Sequence, residues 1–221
     1  MMKSLIVPLI DLQNLDTDLE LFGARFNVDQ VNWPTDFPYA PFCVGRIART
    51  KDALVVDFRV SGLDLRVQNL EDNGRQWEDS CVEFFVQDPS GADYYNFEIN
   101  ALGKVLACTG PDRNNRVARP AEEMRQILCF TQNDRICHPE EAQPTKDLKA
   151  LDLPGVHSWR VAVVIPFPLI GIDPENPPRS IRANFFKCGD KTAHPHFLSW
   201  NPIETPSPDF HRPEFFGELL F

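Results

Sequence analysis

Glycine is scarce in this sequence, and its scarcity excludes several classes of protein. The 221 residues include 11 glycines beside 20 prolines, and 3 tyrosines beside 17 phenylalanines. Abundant proline without abundant glycine excludes a collagen-like repeat and disfavours an all-helical fold. The glycines are isolated, so neither a phosphate-binding loop nor a dinucleotide fingerprint is present.

Basic charge and long apolar runs are also lacking. Lysine and arginine number 22 against 32 acidic residues, a net charge of −10, which disfavours nucleic acid and anionic membranes as partners. The apolar start from Leu5 to Ile10 contains Pro8 and is too short for a secretion signal or a membrane span. We therefore expect a cytoplasmic protein; a chain trimmed of its leader would instead be secreted or periplasmic.

Cysteine pairs at metal-binding or redox spacing are absent. The six cysteines lie at positions 43, 81, 108, 129, 137 and 188, without a CxxC motif. Together with the expected compartment, this spacing predicts buried, reduced thiols. Cys129 and Cys137 are the pair best placed for a bridge.

Apolar residues mostly recur with a period of two. Alternation is clear in Leu54–Val60, Val82–Val86 and Tyr95–Ile99, and strands are also predicted at Lys104–Thr109, Trp159–Ile165, Ile181–Lys187, His196–Trp200 and Phe216–Phe221. Residues 88–92 are typical of a hairpin loop. The pattern predicts one all-β domain over residues 1–221, an antiparallel two-sheet β-sandwich of jelly-roll or immunoglobulin-like type with long loops.

Two stretches break this pattern. Residues 110–155 are polar and proline-punctuated, and we interpret them as a long excursion with one helical turn near residues 122–126. Residues 201–215 contain four prolines, at 202, 206, 208 and 213, and predict an extended arm that cannot be a central strand.

One face of the predicted hairpin is polar. If the apolar alternates of residues 82–86 and 95–99 point into the core, the opposite face carries Glu83, Phe85, Gln87, Asn96, Glu98 and Asn100. Such a face is either an ordinary solvated sheet surface or a platform for a polyhydroxylated ligand. A sugar needs carboxylate, amide or guanidinium partners for its hydroxyls and a flat aromatic surface for its C–H faces.

The tryptophans divide by their positions. Trp77 precedes one strand of this hairpin, Trp200 ends a later strand, and Trp33 lies in an Asn-Trp-Pro loop. Trp159 alternates with Val161 and is expected in the core. Trp77 and Trp200 are therefore the candidates for a sugar-stacking surface.

These residues also carry a family resemblance. The ordered segments are WEDSCVEFF (77–85), YYNFEINALG (94–103), WRVAV (159–163), RANFFKCGD (182–190), HFLSWNP (196–202) and PDFHRPEFFG (208–217). Together they resemble carbohydrate-binding module family 9 and its DOMON-like relatives, most nearly the stand-alone proteins of gut Bacteroidetes. The resemblance covers about residues 40–221.

The resemblance implies a sandwich that binds a mono- or oligosaccharide between two tryptophans without catalysis or a cofactor. In the founding members the ligand is held at its reducing end. The residues implied or expected at the site are Trp77 and Trp200 as stacking walls, Glu83 as hydroxyl acceptor, Asn96, Glu98, Arg182 and Asn184 as polar contacts, and Arg113 and Arg116 in a covering loop. Some members carry calcium, but we identify no calcium loop. Trp77→Ala and Trp200→Ala are each expected to abolish binding with the fold intact.

Alternatives from other classes stay open. Glu83 and Glu98 can form the carboxyl pair of a glycoside hydrolase. His194 and His196, joined by His211 or Cys188, can form a metal site. Haem would need an axial methionine, for which only Met1, Met2 and Met124 exist. The particular sugar and the oligomeric state do not follow from the sequence.

Overall fold

A computed structural model of the chain describes residues 2–133 and 150–221, without the side chain of residue 133. The strands in these residues are β1 (Ser4–Ile6), β2 (Ala24–Asn27), β3 (Gln30–Val31), β4 (Phe42–Arg49), β5 (Ala53–Val67), β6 (Cys81–Gln87), β7 (Tyr94–Asn100), β8 (Val105–Gly110), β9 (Val117–Ala118), β10 (Leu128–Asn133), β11 (Leu151–Pro166), β12 (Ser180–Cys188), β13 (Phe197–Ser199) and β14 (Gly217–Leu220). The helices are α1 (Leu15–Phe22) and α2 (Ala121–Met124), and 3₁₀ turns lie at Gln76–Glu78, Phe167–Ile170 and Pro213–Phe215.

The strands form two sheets. The larger sheet has nine strands, in the order β1-β14-β12-β6-β7-β8-β9, with β13 and β3 branching from β12. The smaller sheet has the order β10-β11-β5-β4-β2. Among the strand pairs described, β1 with β14 is parallel and the others are antiparallel. The predicted all-β sandwich is confirmed, with one parallel edge pair that the alternation did not indicate.

The main core lies between the two sheets. The nine-stranded sheet contributes side chains that include Val82, Phe84, Val86, Phe97, Ile99 and Phe185, and the five-stranded sheet contributes Leu54, Val56, Phe58, Trp159, Val161 and Val163. These are the period-two residues, so the predicted core face and the core position of Trp159 are confirmed. Burial of these alternating apolar side chains from both sheets is the main force that holds the sandwich together.

The other, outer face of the nine-stranded sheet is also covered. A second apolar cluster joins Phe85, Tyr94 and Phe186 of this face to Ile203, Phe210 and Phe216 of the segment after β13. Residues 201–215 contain no strand, as predicted from their prolines, and we call them the C-terminal arm. Because the arm lies over the sheet, the outer face is not the ordinary solvated surface that is one of the two interpretations of the polar pattern.

The remaining predictions for loops have mixed outcomes. The predicted excursion over residues 110–155 is shorter than expected, because its described parts include β9, α2, β10 and the start of β11. The helical turn expected near residues 122–126 overlaps α2. Helix α1, which the sequence analysis missed, buries Leu19 against Ala48 and Val55 on the outside of the five-stranded sheet.

The cysteines described are free thiols, as expected. Cys43, Cys81, Cys108 and Cys188 are buried, and Cys129 is partly buried. Cys137 lies outside the described residues, so its suggested pairing with Cys129 stays a prediction. In the described parts of the chain, no helix is long and apolar enough to cross a membrane.

Candidate functional site

A cavity of about 150 Å³ opens where the C-terminal arm crosses the outer face of the nine-stranded sheet. It is lined by Trp77, Glu83, Glu98, Arg113, Arg116, Cys188, Asp190, Phe197, Pro208, Asp209, Phe210 and His211. The sheet provides its floor, the loop after β8 provides two arginines, and the arm provides a wall. Five of the residues expected at a site therefore meet here: Trp77, Glu83, Glu98, Arg113 and Arg116.

Trp77 stands at the cavity in a rigid turn. The 3₁₀ turn Gln76–Glu78 ends at Asp79, whose carboxylate accepts hydrogen bonds from the backbone N–H groups of Gln68 and Asn69 at 2.9 Å. The carbonyl of Trp77 itself accepts from the N–H of Asp190 at 3.0 Å. The indole is half-buried against the second cluster, so one part of it stays available to a ligand.

Glu83 and Glu98 form a buried pair on the cavity floor. They are direct partners in the β6–β7 register and point to the same face, 3% and 2% exposed. Cross-strand partners have Cβ atoms about 4.5–5.5 Å apart. Burial, together with the charge of Glu98, raises the pKa of Glu83 well above its ordinary value. Burial also raises the pKa of Glu98, to about 7, although the nearby positive charge of Arg116 acts to lower it.

One of the two carboxyl oxygens of Glu98 has no hydrogen-bond partner among the described residues. Its Oε1 accepts from Arg116 Nη1 at 3.2 Å and from Asn96 Nδ2 at 3.1 Å. Its Oε2 and the Oδ1 of Asn96 are buried without a hydrogen-bond partner among the described residues. Unpaired buried acceptors are unfavourable, so this corner of the cavity suits a ligand that brings hydrogen-bond donors.

The arm wall is held in place by aromatic contacts. Phe210 stacks on Phe186 with ring centroids 4.3 Å apart and planes 11° apart. His211 Nδ1 and the Tyr94 hydroxyl are hydrogen-bonded at 2.8 Å. Burial lowers the pKa of His211 to about 2, assisted by the charges of Arg116 and Arg113, so its imidazole is neutral. A neutral ring can accept or donate at the cavity without adding charge.

The acidic rim of the cavity faces Arg113. Its Nη1 lies 3.9 Å from Asp209 Oδ1, which joins the loop after β8 to the arm. Partial burial raises the pKa of Asp190 to about 6, although the positive charge of Arg113 offsets part of this increase. The rim thus carries both carboxyl acceptors and a guanidinium donor, which can form charge-assisted hydrogen bonds with hydroxyl groups.

Four residues expected at the site do not line this cavity: Trp200, Asn184, Arg182 and Asn96. Trp200 is 5% exposed in the main core, 5.5 Å from Phe185 between ring centroids, and it occupies the space beside Gly217. Asn184 exchanges hydrogen bonds with the backbone of Asn201 at 2.9 and 3.0 Å. Neither side chain is free to contact a ligand in the cavity, because Trp200 is packed in the core and Asn184 is hydrogen-bonded to the backbone of Asn201.

Arg182 and Asn96 also have structural contacts. Arg182 donates to the carbonyls of Phe216 and Glu214 at 2.6 and 3.1 Å, which fixes the end of the arm. Asn96 is fully buried beneath Glu98 and reaches the cavity through that carboxyl group.

The histidines of the alternative metal site do not converge. His194 pairs with Asp64, His196 is hydrogen-bonded to Lys187 at 2.8 Å, and His211 contacts Tyr94. Cys188 instead lies with Cys81 and Glu83. Of the methionines considered for haem, Met2 is exposed and Met124 packs at the edge of the main core.

Several cavity residues were missed as ligand contacts. Phe197, Phe210, Asp190, Pro208 and Asp209 line it, and His211 and Cys188 were considered only as metal ligands. The concentration of prolines after Trp200 was the available signal that this arm borders a site. The prolines alone do not indicate which side chains of the arm face the cavity. Without a helix or strand the sequence has no repeating pattern that assigns side chains to one side.

The fold and cavity together define a β-sandwich with a small site of one tryptophan, buried carboxyl groups and arginines. The chain belongs to carbohydrate-binding family 9, whose model matches residues 20–221. It is similar over 100% of both chains to a candidate carbohydrate-binding protein of Bacteroides uniformis ATCC 8492, at 31% identity and a TM-score of 0.85. The family expected from the sequence motifs is confirmed.

More distant structures share the fold. A family 9 module of Caldicellulosiruptor kristjanssonii in complex with glucose has 12% identity and a TM-score of 0.55, covering 99% of this chain and 95% of that one. A cellotriose complex from the same organism has 11% identity and a TM-score of 0.57, covering 99% and 93%. No curated protein matches the sequence.

Proposed function

We propose that this protein binds a mono- or oligosaccharide in the cavity under the C-terminal arm and does not transform it. The observation that carries the proposal is the meeting of Trp77 with the buried pair Glu83 and Glu98 and with Arg116. Sugar C–H faces pack on an aromatic ring, and vicinal hydroxyls pair with carboxyl and guanidinium groups. The cavity combines both kinds of partner within one small volume.

The cavity dimensions favour a single sugar ring or the end of a chain. Its volume of about 150 Å³ is below the roughly 300–1,000 Å³ of pockets that hold drug-sized ligands. Phe197, Phe210 and His211 supply the remaining aromatic surface, in place of the second tryptophan wall expected at Trp200. Glucose and cellotriose, the sugars in the Caldicellulosiruptor complexes, are therefore suitable first ligands.

Binding without hydrolysis is supported by the arrangement of the carboxyl pair. Hydrolases place their two carboxyl groups on either side of the scissile bond. Glu83 and Glu98 are instead neighbours on one wall, on adjacent strands of the same sheet face. The raised pKa values of both groups favour protonated carboxyls, which can donate as well as accept hydrogen bonds.

The carboxyl pair also gives the hydrolase alternative its one supporting observation. A general acid needs a raised pKa, and Glu83 has one. Incubation with a panel of nitrophenyl glycosides and oligosaccharides tests this function. We expect no release of product, whereas turnover that Glu83→Gln abolishes would establish the hydrolase.

Calorimetric titration of glucose and cellotriose tests the binding proposal. We expect saturable binding to the full chain and at least a tenfold loss of affinity in Trp77→Ala, because the stacking surface is removed. The matched control is Trp159→Phe, since Trp159 is 5% exposed in the main core and does not line the cavity. Unchanged affinity in a folded Trp77→Ala protein would contradict the assigned site.

A further inference from the structure

Two thiols lie directly against Glu83. Cys81 and Cys188 are register partners across β6 and β12, and both are almost fully buried. One donor atom from each of Cys81, Glu83 and Cys188 lies within 4.8 Å of the other two. The closest contact is the Cys188 thiol, which donates to Glu83 Oε1 at 3.0 Å.

We propose that Cys81, Cys188 and Glu83 bind a divalent metal ion of the zinc class at the cavity floor. Zinc prefers thiolate, imidazole and carboxylate donors, at about 2.3 Å for sulfur and 2.0–2.2 Å for oxygen. In a tetrahedral site such bonds place neighbouring donors roughly 3.3–3.8 Å apart. The three donors lie within 4.8 Å of one another, so they need to move by about 1 Å or less relative to one another to reach this range.

A metal ion at this site must displace the protons of both thiols, so thiol protonation opposes its binding. Burial raises the pKa of the Cys81 thiol to about 12 and that of the Cys188 thiol well above its ordinary value, so both are protonated without a cation. A bound divalent ion deprotonates coordinating thiols outright. Binding therefore releases protons and strengthens as the pH rises.

The fourth position of such a site faces the cavity. Glu83 and Cys188 both line the cavity, whereas Cys81 lies beneath them. The Oε2 of Glu98 is buried without a partner among the described residues and belongs to the strand neighbour of Glu83. This Glu98 oxygen could accept a hydrogen bond from a water molecule bound to the metal at its fourth position. Three protein donors with one open position resemble an accessible zinc site rather than a closed structural one.

Metal and sugar would share Glu83. If the proposed function is correct, zinc should weaken sugar binding, because the coordinated carboxylate is no longer free to accept a hydroxyl. This consequence rests on the proposed function, whereas the metal site does not. Titrations with metal alone therefore keep the two proposals separate.

Cobalt titration of the full, reduced and chelator-treated chain tests the metal site. Co²⁺ bound by two thiolates in a tetrahedral site gives thiolate charge-transfer and visible bands, which Zn²⁺ then removes by displacement. We expect saturation at one ion per chain. Absence of saturable thiolate bands, or a Cys81–Cys188 disulfide that persists under reductant, would overturn the proposal.

Variants assign the ligands. Cys81→Ser and Cys188→Ser should lose the charge-transfer band and weaken Zn²⁺ binding by at least about 100-fold, more than loss of an outer partner usually does. Cys43→Ser, a buried thiol of the main core, is the matched control and should bind as the wild type. Glu83→Gln preserves the shape of its side chain and tests the third ligand if a serine variant fails to fold. Full binding in folded Cys188→Ser and in Glu83→Gln would place the ion elsewhere and refute the site.

Discussion

The two faces of the nine-stranded sheet are equally buried but differ in chemistry. On β6, Val82, Phe84 and Val86 face the main core, while Cys81, Glu83 and Phe85 face the C-terminal arm, and each of the six is at most 3% exposed. The inner face meets another sheet and is mostly apolar, although the buried Lys187 of β12 lies on it, with its Nζ 5.7 Å from the centroid of the Trp159 ring. The outer face meets an arm without periodicity and holds carboxyl groups, thiols and a cavity.

This difference shows how stability and binding are divided in the molecule. Apolar burial between two sheets contributes stability in proportion to the area removed from water. Buried carboxyl groups oppose folding unless they are paired or protonated. The outer face retains them beside Trp77 and Arg116, which agrees with the proposed ligand site.

The largest effect is expected from truncating the tryptophan on the inner side. Contrary to the expectation from the sequence that the fold stays intact, Trp200→Ala removes a ring packed on Phe185 in the main core. It should lower the free energy of unfolding by about 3–5 kcal/mol. Urea unfolding measures this change. Trp77→Ala is the matched variant on the outer side and should lose much less. Equal losses would remove the distinction between the two faces.

The next effect is a pH dependence that comes from the outer face. The folded-state pKa of Glu98 is about 7 against an ordinary value of 4.5, and that of Glu83 is raised in the same direction. At these two groups the folded state holds protons that the unfolded state releases, so their contribution to stability should be full below about pH 4.5 and decline as the pH rises through 7. The buried neutral His211 and His196, whose pKa values are lowered, act in the opposite direction below about pH 6.5. The decline attributable to Glu98 is about 3 kcal/mol.

Unfolding curves from pH 4.5 to 8 measure this dependence. The decline should be smaller in Glu98→Gln, whose amide does not titrate, and unchanged in Glu218→Gln, a partly exposed strand residue outside the cavity. A pH dependence that is the same in the wild type and in Glu98→Gln would contradict the buried, protonated pair, because the histidines contribute equally to both proteins.

The smallest effect concerns the attachment of the arm. Tyr94→Phe removes the hydrogen bond to His211 and should lower stability by about 1 kcal/mol. Tyr95→Phe, on the inner side of the same strand, is the comparison. If sugar affinity also falls several-fold in Tyr94→Phe alone, the arm wall contributes to the site; equal behaviour of both variants would argue against that contribution.

The residues of the inner face could be predicted from the sequence because apolar side chains recur at every second position along its strands. Leu54, Val82 and Phe97 each belong to runs that alternate along one strand, and such runs specify which side is buried. Helix α1 was missed because it is short and only Leu19 is fully buried. Its N-terminal signal, the Asn14 side chain accepting from the Thr17 N–H at 3.0 Å, is local and easily overlooked.

The site was predicted in part for the same reason. Trp77, Glu83 and Glu98 lie on or beside regular strands, so alternation and the family motifs pointed to them together. Trp200 also precedes the arm, but the register of β12 with β13 and the small Gly217 place its ring in the core. Long-range packing of an aperiodic arm decides which side chains line the cavity, and no local pattern encodes it.

The measurement that tests the account most directly is a crystal structure of the chain with glucose or cellotriose. The account predicts one sugar ring against Trp77, with hydroxyls on the carboxyl groups of Glu83 or Glu98 and on Arg116. A sugar bound elsewhere, with the cavity under the arm unchanged, would contradict it.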